Sequence, residues 1–167
     1  RTLLLKRLFA AWVTFPLEHA AIIGLQRSGK TSLLHYIKNI TRADPRQLRS
    51  GQRHDWLNEP ENHRWILVDF QDSRMCNLER LLQYLLTQLD LSAPDPCSLE
   101  QFMDIVSYQI QQPTIILMDE LGAALAAPEL NDAFWDNLRS LANNYANGNL
   151  GYVVTAHTSL FDLTHTT

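Results

Sequence analysis

The segment Gly24-Leu25-Gln26-Arg27-Ser28-Gly29-Lys30-Thr31 fits the pattern G-x-x-x-x-G-K-[ST] at every fixed position. Each fixed residue has a physical reason. The two glycines let the backbone wrap closely enough for successive N–H groups to point at phosphate oxygens. A helix that starts at Lys30 adds the positive end of its dipole. Lys30 then neutralises terminal phosphate oxygens, and the Thr31 hydroxyl is a ligand for Mg²⁺. The expected phosphate-contacting set is Gly24, Leu25, Gln26, Arg27, Ser28, Gly29, Lys30, Thr31 and Ser32. Lys30 is one of three lysines in the chain, with Lys6 and Lys38.

Such a cradle needs a buried strand before it and a helix after it, and both are legible. Ala20-Ala21-Ile22-Ile23 is a short apolar run, and Thr31-Ser-Leu-Leu-His-Tyr-Ile follows with helical character. Three more apolar runs occur, around Trp65–Val68, Thr114–Met118 and Tyr152–Val154. Their continuity predicts strands buried on both faces of a parallel sheet. Helical patterns separate them. Residues 77–90 carry leucines at 3-4 spacing, residues 98–111 open on Ser98 with Gln101 three positions later, and residues 129–146 run to Gly148. Strand–helix alternation of this kind predicts an α/β layered fold. Residues 41–63 and 92–97 read as loops, and residues 1–17 as a helical lead-in whose start, Arg1 to Val13, is amphipathic. The expectation is one domain over residues 1–167, cut from something longer, since the chain begins without methionine.

Two further strand ends carry chemistry. Ile115-Ile116-Leu117-Met118 empties into Asp119 and Glu120. At the carboxyl end of a strand beside the cradle, Asp119 is placed to hold Mg²⁺ with Thr31. Glu120, one residue on and expected to diverge by strand alternation, is placed to polarise an attacking water. Asp119 to Gly122 also matches D-x-x-G, but the chain has no N-K-x-D for guanine, so adenine is expected. The fourth apolar run ends in Thr155-Ala156-His157, and alternation would put Thr155 and His157 on one side, facing the terminal phosphate or the water. The catalytic set is therefore Lys30, Glu120, Thr155 and His157.

Composition narrows the classes. The 167 residues are 46% hydrophobic and 19% charged, an ordinary globular balance. A formal charge of -4 argues against coating nucleic acid by bulk electrostatics. Cys76 and Cys97 build no disulfide framework and lack zinc-ligand spacing, and no apolar run reaches the ~18–20 residues of a membrane span. A cytoplasmic protein with reduced thiols and no membrane partner is expected. Arg42, Arg46, Arg49 and Arg53 recur at 4-3-4 spacing, but Pro45 and Gly51 break any helix there, so a solvated loop is expected, with docking of a partner or of nucleic acid as the alternatives. Arg139 is expected to pair with Asp136, with an arginine finger as the alternative.

In order, these elements resemble the additional-strand P-loop NTPases, in which a strand (here Trp65 to Phe70) sits between the cradle strand and the acid strand. The resemblance over residues 18–163 points further, to the AAA+ and STAND ATPases, whose cradles are similar to Gly24–Leu34. It implies a three-layer α/β fold with a mainly parallel sheet in the order 2-3-4-1, and ATP and Mg²⁺ as ligands. It also implies a fifth strand, a helical lid and an upstream Gly-Arg or Asp-Arg box. None of these is in the given sequence, so isolated turnover is expected to be weak. The implied role is an ATP-hydrolysing switch in a signalling or defence protein, with its other domains or a homo-oligomer as partners. The alternatives are a DNA-associated ATPase of the origin-recognition or transposition kind, and a binding-only domain. Nucleic acid is not expected to bind this domain by itself.

Overall fold

A computed structural model describes residues 1–157 of the chain. Its elements are α1 (Thr2–Ala10), β1 (Ala20–Ile23), α2 (Lys30–Ile40), β2 (Arg64–Asp69), α3 (Leu78–Gln88), α4 (Leu99–Gln109), β3 (Thr114–Asp119), α5 (Leu121–Leu125), α6 (Asp132–Ser140) and β4 (Leu150–Ala156). All three strand pairings are parallel, in the order β1-β4-β3-β2. That is the expected 2-3-4-1 order, read from the other edge. The strand between the cradle strand β1 and the acid strand β3 is β4, however. The run from Trp65, expected between them, is the far edge strand β2, paired with β3 alone.

Continuous apolar runs became strands because both faces of the sheet are covered. β3 is buried at all of its positions. On one face, α1 and α2 press Leu5, Phe9, Leu34 and Ile37 against Ile115, Leu117 and Val153. On the other, α3, α4 and α6 bring Leu82, Leu86, Phe102 and Phe134 against Ile66, Ile116 and Tyr152. The result is the three-layer α/β P-loop fold. The amphipathic reading of the amino terminus holds, since α1 buries Leu5, Leu8 and Phe9. Phe9 and Trp12 then meet Trp65 at ring-centroid distances of 5.8 and 5.4 Å.

Local signals also set the element ends. Ser98 and Gln101 form the reciprocal capping box that opens α4. The helix expected over residues 129–146 begins later, at Asp132, because Asn131 accepts from Phe134 N–H as its N-cap. It also changes character at Leu141. A five-residue π turn, Leu141–Tyr145, closes with Ala146 N–H donating to the Leu141 carbonyl at 2.9 Å. Widening the turn buries Leu141 and Ala142 together, while Tyr145 stays 54% exposed. Residues 41–63 are more ordered than a bare loop: Gln52 is buried, accepting from Tyr36 Oη at 2.5 Å and from Arg49 N–H at 3.0 Å.

Leu34, with no exposed surface, fills the space between α2 and the sheet, whereas Leu25 is 81% exposed in the cradle. Leu34→Ala is expected to lower the unfolding free energy by about 2–5 kcal/mol. Leu25→Ala should stay within about 0.5 kcal/mol. Urea unfolding of both variants against the parent measures the contrast.

Candidate functional site

The cradle hangs from the carboxyl end of β1 and is tied to the next strand. Gly24 N–H donates to the Ala156 carbonyl at 3.1 Å, so the loop starts from the end of β4 as well as β1. Ser28 N–H returns to the Leu25 carbonyl at 3.1 Å, closing the turn. Gly29 then enters α2 with φ +83°, the left-handed region that favours glycine. Thr31 and Ser32 are exposed in the first turn of α2.

Lys30 is enclosed. A lysine head that meets a ligand would ordinarily stand in solvent when none is bound, yet the residue is only 7% exposed. Nζ donates to the carbonyls of Gly24 and Leu25, both at 2.9 Å. The cause is the loop's own geometry. A tight turn leaves carbonyl lone pairs to spare, even at Leu25, which also takes Ser28 N–H, and an ammonium with three donors fills them. The cation is therefore held inside the cradle by the cradle.

A second cation was missed in the sequence. Arg1, at the start of α1, lays its guanidinium over the cradle. Nη2 donates to the Ser28 carbonyl at 3.5 Å, and a Cβ at Gly29 would collide with the same nitrogen. No sequence pattern signals this, because the two positions are 27 residues apart and meet only when α1 packs on α2.

On the other side of β4 stand the acids. Asp119 ends β3 and is 2% exposed; Thr155 of β4 is fully buried beside it. The Thr155 hydroxyl donates to Asp119 Oδ1 and accepts from Glu120 N–H at 3.1 Å. Glu120 N–H also reaches Asp119 Oδ1 at 3.2 Å. Glu120 does diverge from Asp119, but not by pleating. It has left the strand in a left-handed conformation, φ +57° and ψ 54°, as the residue that caps α5. A non-glycine residue there stores about 1 kcal/mol or more of strain. Thr155 and His157 do not act as neighbours either: β4 ends at Ala156, and His157 is exposed while Thr155 is enclosed.

The donor set fits its expected ligands. Asp119 and Thr31 offer hard oxygen atoms, the kind Mg²⁺ takes alongside phosphate and water. Among the described residues no cluster of three or more His, Cys, Asp or Glu offers an all-protein cage for a metal. The loop is also shaped for close approach, since a Cβ at Gly24 would lie 2.9 Å from Ser28 Oγ. Elsewhere, Arg139 pairs with Asp136 at 2.5 Å on its own helix. Arg46 and Arg53 pair with Asp44 and Asp55, so no basic stripe forms. Burial, chiefly, pushes the thiols of Cys76 and Cys97 up. No helix among the described residues is long and apolar enough to cross a membrane.

No protein-family model and no curated protein matches this sequence. Solved structures do match in fold. The ADP form of the ORC2 protein of Aeropyrum pernix superposes with a TM-score of 0.63 at 13% identity, over 93% of this chain and 40% of that one. A Drosophila ORC structure bound to DNA gives 0.63 at 16% identity, over 96% of this chain and 37% of that one. A Walker-type ATPase of Pyrococcus abyssi gives 0.52 at 14% identity, over 91% and 43%. This chain thus spans about two-fifths of each neighbour, and the likeness is one of fold.

Thr155→Val keeps the side-chain shape but strips the hydroxyl from between Asp119 and Glu120. The variant is expected to lose about 1–3 kcal/mol of stability without nucleotide, as Asp119 Oδ1 loses its hydroxyl donor and keeps Glu120 N–H alone. Thr155→Ser should recover most of it. Equal urea midpoints for Thr155→Val and the parent would remove the hydroxyl from its structural role.

Proposed function

We propose that this chain binds Mg-ATP at residues 24–32 and hydrolyses it as the switch module of a larger STAND or AAA+-type signalling or defence protein. One observation carries the reading. The cradle and the Asp119–Thr155–Glu120 group share β4, through Gly24 N–H on Ala156 and the Thr155 hydroxyl on Asp119. A phosphate chain held in the cradle therefore ends beside the acids.

The residues divide the work. Backbone N–H groups of residues 24–32 and the dipole of α2 bind the phosphates, and Lys30 turns from the Gly24 and Leu25 carbonyls to the terminal oxygens. Thr31 and Asp119 would hold Mg²⁺, which when bound supplies charge neutralisation on the phosphate oxygens. Glu120 orients an in-line water and draws its proton. Thr155 positions both acids by one hydroxyl, and His157, exposed at the mouth, faces a terminal phosphate or a partner. Arg1 adds positive charge over the loop. The absence of N-K-x-D favours adenine. A change at the terminal phosphate is passed to attached domains, or to further copies of the chain, as a change of loop and strand-end geometry.

A second reading has its own support. The structures with the same fold include a Drosophila ORC bound to DNA, which fits a DNA-associated ATPase. The net charge of -4 weighs against this domain gripping DNA by itself. Titration of the longer protein with duplex DNA, with and without Mg-ATP, separates the two readings.

Lys30→Ala is expected to nearly abolish Mg-ATP binding while remaining folded, at the cost of two hydrogen bonds from a charged donor. Calorimetric titration with ATP and GTP checks this, and undiminished affinity would overturn the cradle assignment. Glu120→Gln keeps the shape and removes the charge. Its ATP affinity should stay within about tenfold. Single-turnover phosphate release should fall ~10²-fold or more. Unchanged hydrolysis would take Glu120 out of the mechanism.

A further inference from the structure

The two faces of the sheet are not equally covered at β1 and β4. On the face of α1 and α2, Ile22 and Val153 are buried. On the face that α3, α4 and α6 cover elsewhere, Ala21 is exposed, Ile23 is 52% exposed and Val154 is half-buried. Strand alternation puts these positions on one side, and the register sets Ala21 beside Val154 and Ile23 beside Ala156, so they form one strip. Leu121 and Leu125 of α5 and Trp135 and Leu138 of α6 stand over it and complete an apolar groove of about 490 Å³. A groove of this kind on a sheet face forgoes burial that an apolar segment would supply.

Topology indicates the occupant. β2 is joined to β3 through α3 and α4, and β3 to β4 through α5 and α6. Each step moves one strand towards β1, and those helices pack on the face opposite α1 and α2. Connections of this kind keep one hand, so a chain that leaves β4 in the same direction passes over the same face, across β4 and β1. β4 ends at Ala156, at the bare strip. Beyond the described residues the sequence continues Thr158-Ser159-Leu160-Phe161-Asp162-Leu163-Thr164-His165-Thr166-Thr167. It carries three large apolar residues and one carboxylate, with no lysine or arginine. The groove is complementary: its lining includes His19 and Arg139 and no carboxylate.

We propose that this groove is the docking site of residues 158–167 of the same chain, with Leu160, Phe161 and Leu163 laid against Ala21, Val154 and Trp135. The groove is then an internal interface, not a surface for a second copy or for an apolar small molecule. Its wall is α5, the helix that Glu120 caps, so the docked segment also braces the turn at Glu120.

NMR of the full chain, residues 1–167, reads the contact directly. Nuclear Overhauser effects are expected from the Phe161 ring to the Val154 and Leu125 methyl groups, and from Leu160 or Leu163 to the Trp135 indole. In a mixture of labelled and unlabelled chains they should stay within one chain. The double variant Phe161→Ser/Leu163→Ser should shift the Val154 and Leu125 methyl signals and leave those of Leu34 and Ile37, on the other face, in place. It should also move tryptophan emission to longer wavelength, a change that Trp135→Phe removes. Fluorescence of an anilinonaphthalene sulfonate dye should rise several-fold over the parent, as apolar surface is uncovered. Absence of these Overhauser effects in the parent would overturn the proposal, whatever the variant does. Effects that pass between chains would give the groove to a second copy and overturn it too. A parent that binds the dye as strongly as the double variant, or a small molecule retained with the parent in its native mass spectrum and lost on adding the dye, would do the same.

Discussion

One buried hydroxyl holds the two acids of this protein in place. Thr155, with no exposed surface, donates to Asp119 and accepts from Glu120 N–H. A carboxylate that is 98% enclosed would be costly without such a partner. The hydroxyl also supports the left-handed turn at Glu120, because the N–H it binds belongs to the residue that carries the strain. It can do so only because β4 lies between β1 and β3. Had β3 paired directly with β1, Thr155 could not stand between the cradle and the acids.

The cradle is satisfied in a different way. Its carbonyls at Gly24 and Leu25 hold the Lys30 ammonium, and the Ser28 carbonyl holds Arg1. Both cations face the loop that would receive phosphate, and both are engaged by neutral acceptors. Neutral carbonyls are weaker partners for a cation than phosphate oxygens, so exchanging one for the other favours the ligand. The loop is thereby kept rigid and charged with the same contacts that a ligand would replace.

Chemistry at the two ends of the sheet follows from its parallel pairing. All carboxyl ends point one way, which collects Gly24, Asp119, Glu120 and Thr155 on one rim. The opposite rim collects strand starts, and there Arg64 is fixed by Gln112, Gln88 and Asp90 next to the unpaired nitrogens of His63 and Trp65. Antiparallel strands would have mixed the two sets. The separation of the loop at residues 24–31 from a polar pocket on the opposite rim is a property of the topology.

Much of this was legible in the residues themselves. The cradle motif, four continuous apolar runs and the Ser98–Gln101 box fixed the strand–helix order, because local backbone rules and burial on two faces act within a few residues. The acids after β3 and the polar end of β4 could be placed for the same reason. What could not be read depended on residues distant in sequence. The burial of Lys30, the guanidinium of Arg1 above Gly29, the Thr155 bridge and the orphaned nitrogens of His63 and Trp65 all need two elements to meet. The π turn at Leu141–Tyr145 belongs with them, since only packing against α4 and the sheet decides that Leu141 and Ala142 must both turn inward. Sequence by itself determined the order of strands and helices and where polar groups interrupt the apolar runs, through spacing that backbone geometry makes local. Tertiary structure alone decided which of those groups are satisfied, strained or left unpaired, because hydrogen bonding and desolvation depend on neighbours brought in by the fold.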